Sequence, residues 1–124
     1  MDKDIVPFRT TEARIAEHAH TIAVEGELDL YTAAELKQRL REVDVENVLV
    51  DLSRVTFVDS AGLATLVTAS RRVRARGGTL MLCVDDPNIL KVLRVTGLDR
   101  FFDVRSSADD PVRELSMRPV LAAS

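Results

Sequence analysis

The chain lacks a cysteine pair, a long hydrophobic run and an excess of charge of either sign. Its one cysteine, Cys83, excludes a disulfide within the chain and fits a reducing compartment. No run approaches the roughly 20 apolar residues that a membrane-spanning helix needs. Residues 1–10 also lack the apolar stretch of a signal peptide. We therefore expect a cytoplasmic protein that does not enter a membrane.

The charge balance bears on possible partners. The net charge is only −3, from 17 Lys and Arg residues against 20 Asp and Glu residues. Proteins that bind nucleic acid are usually strongly basic, so we expect no direct contact with nucleic acid. Hydrophobic residues make up 46% of the 124 residues, which is enough for the core of one domain of this length.

Recognisable catalytic and metal-binding patterns are also missing. There is no Ser-His-Asp arrangement, no GxxxxGK[ST] phosphate loop and no metal-ligand spacing. His18 and His20 form a pair without the further ligands that a metal site needs. The turn at Ser60 superficially resembles a nucleophile elbow, but Val58 stands where the GxSxG motif requires glycine. We expect no enzyme activity, no cofactor and no metal, with a small-molecule-binding α/β protein kept as an alternative.

Hydrophobic patterning predicts strands and helices that alternate along the chain. The predicted strands cover residues 8–15, 21–28, 48–52, 80–84 and 101–104. The predicted helices cover residues 32–43, 60–76 and 87–96, with a last short helix from Asp110 to before Pro119. Because no helix separates the first two strands, we expect that pair to be antiparallel and the others parallel. The predicted fold is α/β, a mixed and mostly parallel sheet of about five strands with about four helices mainly on one face.

Local signals refine these elements. Thr32 and Glu35 fit a capping box that opens the first helix, and Gly26 suggests a bulge in the second strand. Asp86 fits the N-cap of the third helix, and Gly97 its C-terminal glycine. Helical spacing places these side chains inward on the second and third helices: Leu63, Leu66, Val67, Ser70, Val73, Ile89, Val92 and Leu93.

A basic cluster occupies the end of the longest predicted helix. It consists of Arg71, Arg72, Arg74 and Arg76. Arginines near a helix C-terminus complement the helix dipole and are usually solvated. Binding of an acidic patch on a partner is the alternative interpretation.

Ser60 is the most distinctive candidate for function. In VTFVDSAGL it stands where an apolar strand-like stretch stops and a helix-like stretch begins. A phosphoryl group on its hydroxyl would add about −1.5 to −2 charges at one point, at a helix N-terminus that favours anions. Serine is also a common N-cap, so a purely structural role is the alternative. Two residues on, Gly62 permits the close approach of another backbone.

Four motifs occur in order along the chain: GELDLYTA at 26–33, VDLSRVTFVDSAGL at 50–63, ARGGTLMLC at 75–83 and VLRVTGLDRFF at 92–102. Together they resemble the STAS domain of bacterial anti-sigma-factor antagonists. The resemblance covers residues 8–117, nearly the whole chain, and leaves residues 118–124 as a C-terminal tail.

The resemblance implies a function and a site. The protein would bind an anti-sigma factor that is also a serine kinase, and so free a sigma factor. The kinase would inactivate it by phosphorylating one serine, and a phosphatase would restore it. In the family's D-S-[S/T/A]-G-L motif that serine corresponds to Ser60, after Asp59. Ala61 stands where many members carry a second hydroxyl residue.

The family's GELD aspartate, which helps in partner recognition, falls on Asp29, although Asp29 could instead cap a turn before the first helix. The partner-binding residues implied are Asp29, Asp59, Ser60, Ala61 and Gly62. A STAS subunit of a lipid transporter or a scaffold in a signalling complex is the alternative function. The oligomeric state stays open between a monomer and a weak dimer.

Overall fold

Strands and helices alternate after an initial pair of strands. The computed structural model describes residues 6–118. The elements are β1 (Arg9–Ala16), β2 (Ala19–Leu28), α1 (Leu30–Glu42), β3 (Asn47–Val58), α2 (Ser60–Ala75), β4 (Thr79–Cys83), α3 (Pro87–Val95), α4 (Leu98–Phe101), β5 (Asp103–Arg105) and α5 (Pro111–Ser116).

The five strands form one sheet in the order β1-β2-β3-β4-β5. β1 pairs antiparallel with β2, and the other neighbours are parallel. The predicted mixed, mostly parallel sheet is confirmed. Because β2 and β3 are parallel, their carboxyl ends lie at the same edge of the sheet, and the helices that follow them begin there.

Two hydrophobic clusters lie on opposite faces of the sheet. The larger one is formed with α1, α2, α3 and α4, and the smaller one centres on Leu115 of α5. In β3, Val48 and Val50 contribute to the larger cluster, whereas Leu49 contributes to the smaller one. The run 48–52 is therefore covered on both faces, as its continuous apolar pattern predicted. Helices on mainly one face are also confirmed, with five α-helices among residues 6–118 rather than about four.

The start of α1 differs from the prediction. Its N-cap is Asp29, and the capping box joins Asp29 to Thr32 rather than Thr32 to Glu35. The Asp29 carboxylate accepts hydrogen bonds from the backbone N–H groups of Tyr31 and Thr32, both at 3.0 Å. In return the Thr32 hydroxyl accepts one from the Asp29 N–H at 2.8 Å. The helix therefore begins directly after β2, which places its N-terminus at the edge of the sheet.

Other differences are local. β3 continues beyond the run 48–52 to Val58, pairing there only with β2. Residue 101 belongs to α4, so the last strand begins at Asp103. Val92 is 37% exposed instead of inward. The bulge at Gly26 is confirmed, since the β2–β3 register shifts there. Pro119 lies outside the described residues.

Candidate functional site

The candidate site lies at the sheet edge where β2 and β3 end. Asp29 follows β2 and caps α1, and Asp59 follows β3 and caps α2. The backbone N–H of Asp59 donates to the carbonyl oxygen of Leu28 at 3.1 Å. The two helix N-termini are therefore held side by side. This arrangement brings Asp29, Asp59 and Ser60 to one edge, as the resemblance implied.

Asp59 connects the two helices through its side chain. One carboxylate oxygen accepts a hydrogen bond from the N–H of Gly62 at 3.0 Å, the usual N-cap bond. The other accepts from the N–H of Leu30, in the first turn of α1, at 3.1 Å. Both oxygens of Asp59 therefore accept a backbone hydrogen bond, one from each of the two helices.

Ser60 is the first residue of α2, and its side chain is exposed. The first N–H groups of a helix have no partner within the helix. In α2, Asp59 satisfies that of Gly62, which leaves those of Ser60 and Ala61 beside the serine hydroxyl. An exposed hydroxyl therefore lies at a helix end that favours negative charge.

Asp29 has a defined structural role. The backbone N–H of Thr32, which donates to its carboxylate, is the main cause that lowers the pKa of Asp29 below its ordinary value. The group is therefore ionised at neutral pH and, with Asp59, makes this edge acidic around Ser60. Capping, which the sequence left as the alternative, is what these contacts show. A contact between Asp29 and a partner stays a prediction.

Gly62 lies beneath the surface rather than on it. A Cβ atom added there would lie 2.8 Å from the carbonyl oxygen of Leu28 and 2.9 Å from its Cγ. Such distances are too short for a side chain, so the first turn of α2 packs directly on the end of β2 only because residue 62 is glycine. Ala61 is half-buried against the core. Both residues thus position Ser60.

Sequence reasoning missed an exposed apolar surface around Ser60. Leu30 and Tyr31, in the first turn of α1, and Phe57, near the end of β3, are exposed, and Tyr31 is 84% exposed. Leu30 lies next to Asp59 through the hydrogen bond described above. Large apolar side chains exposed near one edge of a sheet are typical of a surface that binds another protein. The signal available was that Leu30 and Tyr31 fall outside the helical stripe of α1.

This apolar surface continues from Phe57 towards α3. A shallow cavity of about 240 Å³ there has mainly apolar walls, which include Phe57, Val58, Leu63, Ile89 and Val92. The partly exposed position of Val92, contrary to the prediction, is thus part of a depression beside the candidate site.

The remaining candidates do not form a metal or thiol site. Within residues 6–118, no three His, Cys, Asp or Glu side chains are placed to hold a metal ion. His18 bonds to Glu46 at 2.9 Å and His20 to Glu12 at 3.1 Å, so the two histidines are used separately. Cys83 is buried, and this burial raises the pKa of its thiol to about 12. Over the same part of the chain, no helix has the length and apolar character to span a membrane.

Known proteins share this sequence pattern. The chain is 32% identical over 88 residues to the anti-sigma-B factor antagonist of Listeria monocytogenes, covering 68% of this chain and 77% of that protein. It is 26% identical over 94 residues to the anti-sigma-B factor antagonist of Bacillus subtilis, covering 74% of this chain and 86% of that protein.

Solved structures share the fold. An anti-sigma factor antagonist from Mycobacterium paratuberculosis superposes with a TM-score of 0.77 at 25% identity, covering 88% of this chain and 94% of that one. The anti-sigma factor antagonist SpoIIAA in its unphosphorylated form superposes with a TM-score of 0.71 at 18% identity, covering 90% of this chain and 100% of that one. The phosphorylated form of the Bacillus protein SpoIIAA superposes with a TM-score of 0.67 at 20% identity, covering 87% of this chain and 99% of that one. The model of the STAS domain matches residues 10–110. The chain therefore belongs to the STAS domain family, among relatives named anti-sigma-factor antagonists.

Proposed function

We propose that this protein is an anti-sigma-factor antagonist that is switched off by phosphorylation of Ser60. Unmodified, it binds an anti-sigma factor with serine kinase activity through the edge around Ser60, and a sigma factor is released. A phosphatase removes the phosphate and restores binding. The protein acts by exchange of partners in the cytoplasm rather than as an enzyme. The observation that carries this proposal is the exposed Ser60 hydroxyl at the first residue of α2.

The surroundings of Ser60 suit a docking surface. The exposed Leu30, Tyr31 and Phe57 supply apolar area that a partner would cover. Asp29 and Asp59 give the same edge a negative charge. A partner that binds unmodified Ser60 here therefore covers apolar and acidic groups together, and the serine lies within the covered area.

Phosphoryl transfer needs a base that accepts the proton of the Ser60 hydroxyl. The Ser60 oxygen forms a bond to the γ-phosphorus of ATP, the bond from that phosphorus to the ADP oxygen breaks, and the hydroxyl proton must leave. The carboxylate of Asp59 serves as a cap for backbone N–H groups of both helices, and we assign the base that accepts the proton to the kinase.

The phosphate blocks binding at the interface and leaves the fold in place. In the free protein, the dianion lies in solvent beside the N–H groups of Ser60 and Ala61. In a complex, it would be removed from water next to Asp29, Asp59 and the nucleotide of the kinase. A loss of about 3 kcal/mol of binding free energy weakens a complex by more than about a hundredfold, and one desolvated phosphate is sufficient for that.

Two substitutions at Ser60 test the proposal by isothermal titration calorimetry with the anti-sigma kinase. We expect Ser60→Ala to bind within about twofold of the unchanged chain, and Ser60→Asp to bind more weakly by about tenfold or more. The control Val112→Glu adds one negative charge at an exposed position of α5, on the opposite face of the sheet, and should leave binding unchanged. Equal binding by Ser60→Asp and the unchanged chain would contradict the switch.

Incubation with the kinase and ATP, followed by mass spectrometry, tests the modified residue itself. We expect one phosphoryl group on the peptide that contains Ser60, and none on the Ser60→Ala chain. A phosphate on any other residue of the unchanged chain would place the site elsewhere.

A further inference from the structure

A groove between α1 and α2 carries positive charge and lies apart from the candidate site. Lys37 and Arg41 of α1 line one side of it, and Arg72 of α2 lines the other. Thr65 and Thr68 of α2 add two hydroxyl groups to its wall. The groove has a volume of about 180 Å³, and within the part of the chain that the structure describes no carboxylate lines it. We call these five residues the basic groove.

The three cations of the basic groove have no partner within the protein. Among residues 6–118, the side chains of Lys37, Arg41 and Arg72 make neither an ion pair nor a hydrogen bond. Two neighbouring arginines are different: Arg74 donates to the carbonyl oxygen of Phe101, and Arg76 donates to that of Val45 at 2.8 Å. The basic cluster predicted from sequence therefore divides into arginines used by the fold and arginines available for binding.

The helix dipole explains only part of this charge. It favours cations in the last turn of a helix, which accounts for Arg41 and Arg72. Lys37 lies in the middle of α1, where the dipole has little effect. The 16 residues of α2 contain no Asp or Glu, although the whole chain has a net charge of −3. The positive field at the basic groove is thus local and opposite in sign to that of the chain.

We propose that the basic groove is a docking site for an acidic polypeptide segment of a partner protein. Guanidinium groups bind carboxylates through paired hydrogen bonds, and the two threonine hydroxyls can bond the carbonyl groups of an extended segment. Nucleic acid is disfavoured because three cations on an acidic protein offer few phosphate contacts. This inference goes beyond the proposed function and does not depend on phosphorylation of Ser60.

The basic groove is far enough from Ser60 to act independently of its charge. Arg72 follows Ser60 by twelve positions on α2, which corresponds to about 18 Å along the helix axis. Charges exposed to solvent are largely screened beyond about 8 Å at physiological ionic strength. The basic groove therefore binds the acidic segment whether or not Ser60 carries a phosphate, and it can keep a partner attached while the contact at Ser60 is lost.

The test uses a fluorescein-labelled oligoglutamate peptide, the full chain and fluorescence anisotropy at low salt. The groove variant is Lys37→Gln/Arg41→Gln/Arg72→Gln. The control variant, Lys91→Gln/Arg94→Gln/Arg100→Gln, removes the same charge from exposed positions on α3 and α4. We expect the groove variant to bind about tenfold more weakly and the control within about twofold. Added salt should weaken binding to the unchanged chain.

Three results would overturn the inference. In the first, the unchanged chain would show no detectable binding of the peptide, and in the second, the two variants would weaken its binding equally. In the third case, single-stranded DNA of equal charge would bind at least as tightly as the peptide. Circular dichroism checks that each variant folds. If the groove variant does not fold, Lys37→Gln/Arg72→Gln against Lys91→Gln/Arg100→Gln provides the same comparison. Neither set changes Ser60, so failure here leaves the proposed function intact, and failure of the Ser60 variants leaves the basic groove intact.

Discussion

One carboxylate oxygen of Asp59 binds the start of α1 and the other binds the start of α2, so a substitution at this residue should affect both helices. Asp59→Ala removes the bonds to the N–H groups of Gly62 and Leu30 together. Loss of an N-cap costs about 1–2 kcal/mol, and we expect the free energy of unfolding to fall by about that amount in urea denaturation.

Asp59→Asn separates the two bonds. An asparagine side chain has one acceptor oxygen, so it can keep the cap of α2 or the link to α1, but not both. We expect its stability to lie between those of the unchanged chain and Asp59→Ala. The control Ala64→Ser changes an exposed position on α2 and should alter stability by less than about 0.5 kcal/mol. An asparagine variant as stable as the unchanged chain would show that the link to Leu30 contributes nothing.

At this scale the sequence identified Ser60, Asp59 and Gly62 because their motif is local. It gave the cap of α1 only as an alternative role of Asp29, since Thr32 with Glu35 also fits a capping box. The choice between them depends on where β2 ends, which is set by pairing with β3. Exposure of Tyr31 was indicated only by its position outside the buried stripe of α1, because the predicted helix began one residue after it.

Among the elements, α2 depends on its inward face. Leu66 is 1% exposed and belongs to the larger core cluster. We expect Leu66→Ala to lower the free energy of unfolding by about 2–5 kcal/mol, from lost burial and the cavity left behind. Val95→Ala provides the control, because Val95 is 77% exposed on α3. A loss at position 66 no larger than at position 95 would show that this helix face is misassigned.

The helix α5 is attached to β5 by an ion pair that should depend on pH. The Arg105 guanidinium donates two hydrogen bonds of 2.9 Å to Glu114 and lowers the pKa of that carboxyl below its ordinary value of 4.5. The stabilisation is therefore complete above pH 4.5 and is lost as the pH falls through the lowered pKa.

Glu114→Gln measures this contribution together with that of Arg118, which donates to the same carboxylate at 3.0 Å. The side chains of Arg105 and Glu114 are about a third exposed, so solvent screening keeps the expected loss at neutral pH to about 1 kcal/mol or less. Thermal melts should show the difference from the unchanged chain shrinking below pH 4.5. A difference that stays constant as the pH falls from 4.5 to about 3 would contradict the ion pair as its cause.

The long periodic elements were predictable, whereas α4 was not. Four residues, Leu98–Phe101, are too few to show helical periodicity, and the apolar pair Phe101 and Phe102 resembled the start of a strand. Their burial against α3 and the sheet decided the outcome instead. The length of β3 was underestimated for a related reason, because its second half pairs with β2 alone and contains one buried residue, Val55.

For the whole molecule, alternation of strands and helices was sufficient to predict a mixed sheet with parallel strands. It did not predict that α5 would cover the face opposite the other helices. That position follows from Leu115, which packs with Ala19, Leu49, Met81 and Cys83. Each of these residues looks like an ordinary core residue in the sequence, and only the pleat of the assembled strands shows that they share a face.

The fold should be the same with and without negative charge at Ser60. The side chain lies in solvent at the N-terminus of α2, where the helix dipole stabilises an anion by about 0.3–1 kcal/mol and the neighbouring Asp59 opposes it. We expect Ser60→Asp to change the free energy of unfolding by less than about 1 kcal/mol.

The amide chemical shifts of Ser60→Asp should differ from those of the unchanged chain only at the starts of α1 and α2. Gln38→Glu is the control for added charge. Chemical-shift changes that spread to β4 or α5 in Ser60→Asp, but not in this control, would mean that the switch acts by refolding. Shifts confined to the site, together with lost binding of the anti-sigma kinase, would leave charge at the interface as the cause.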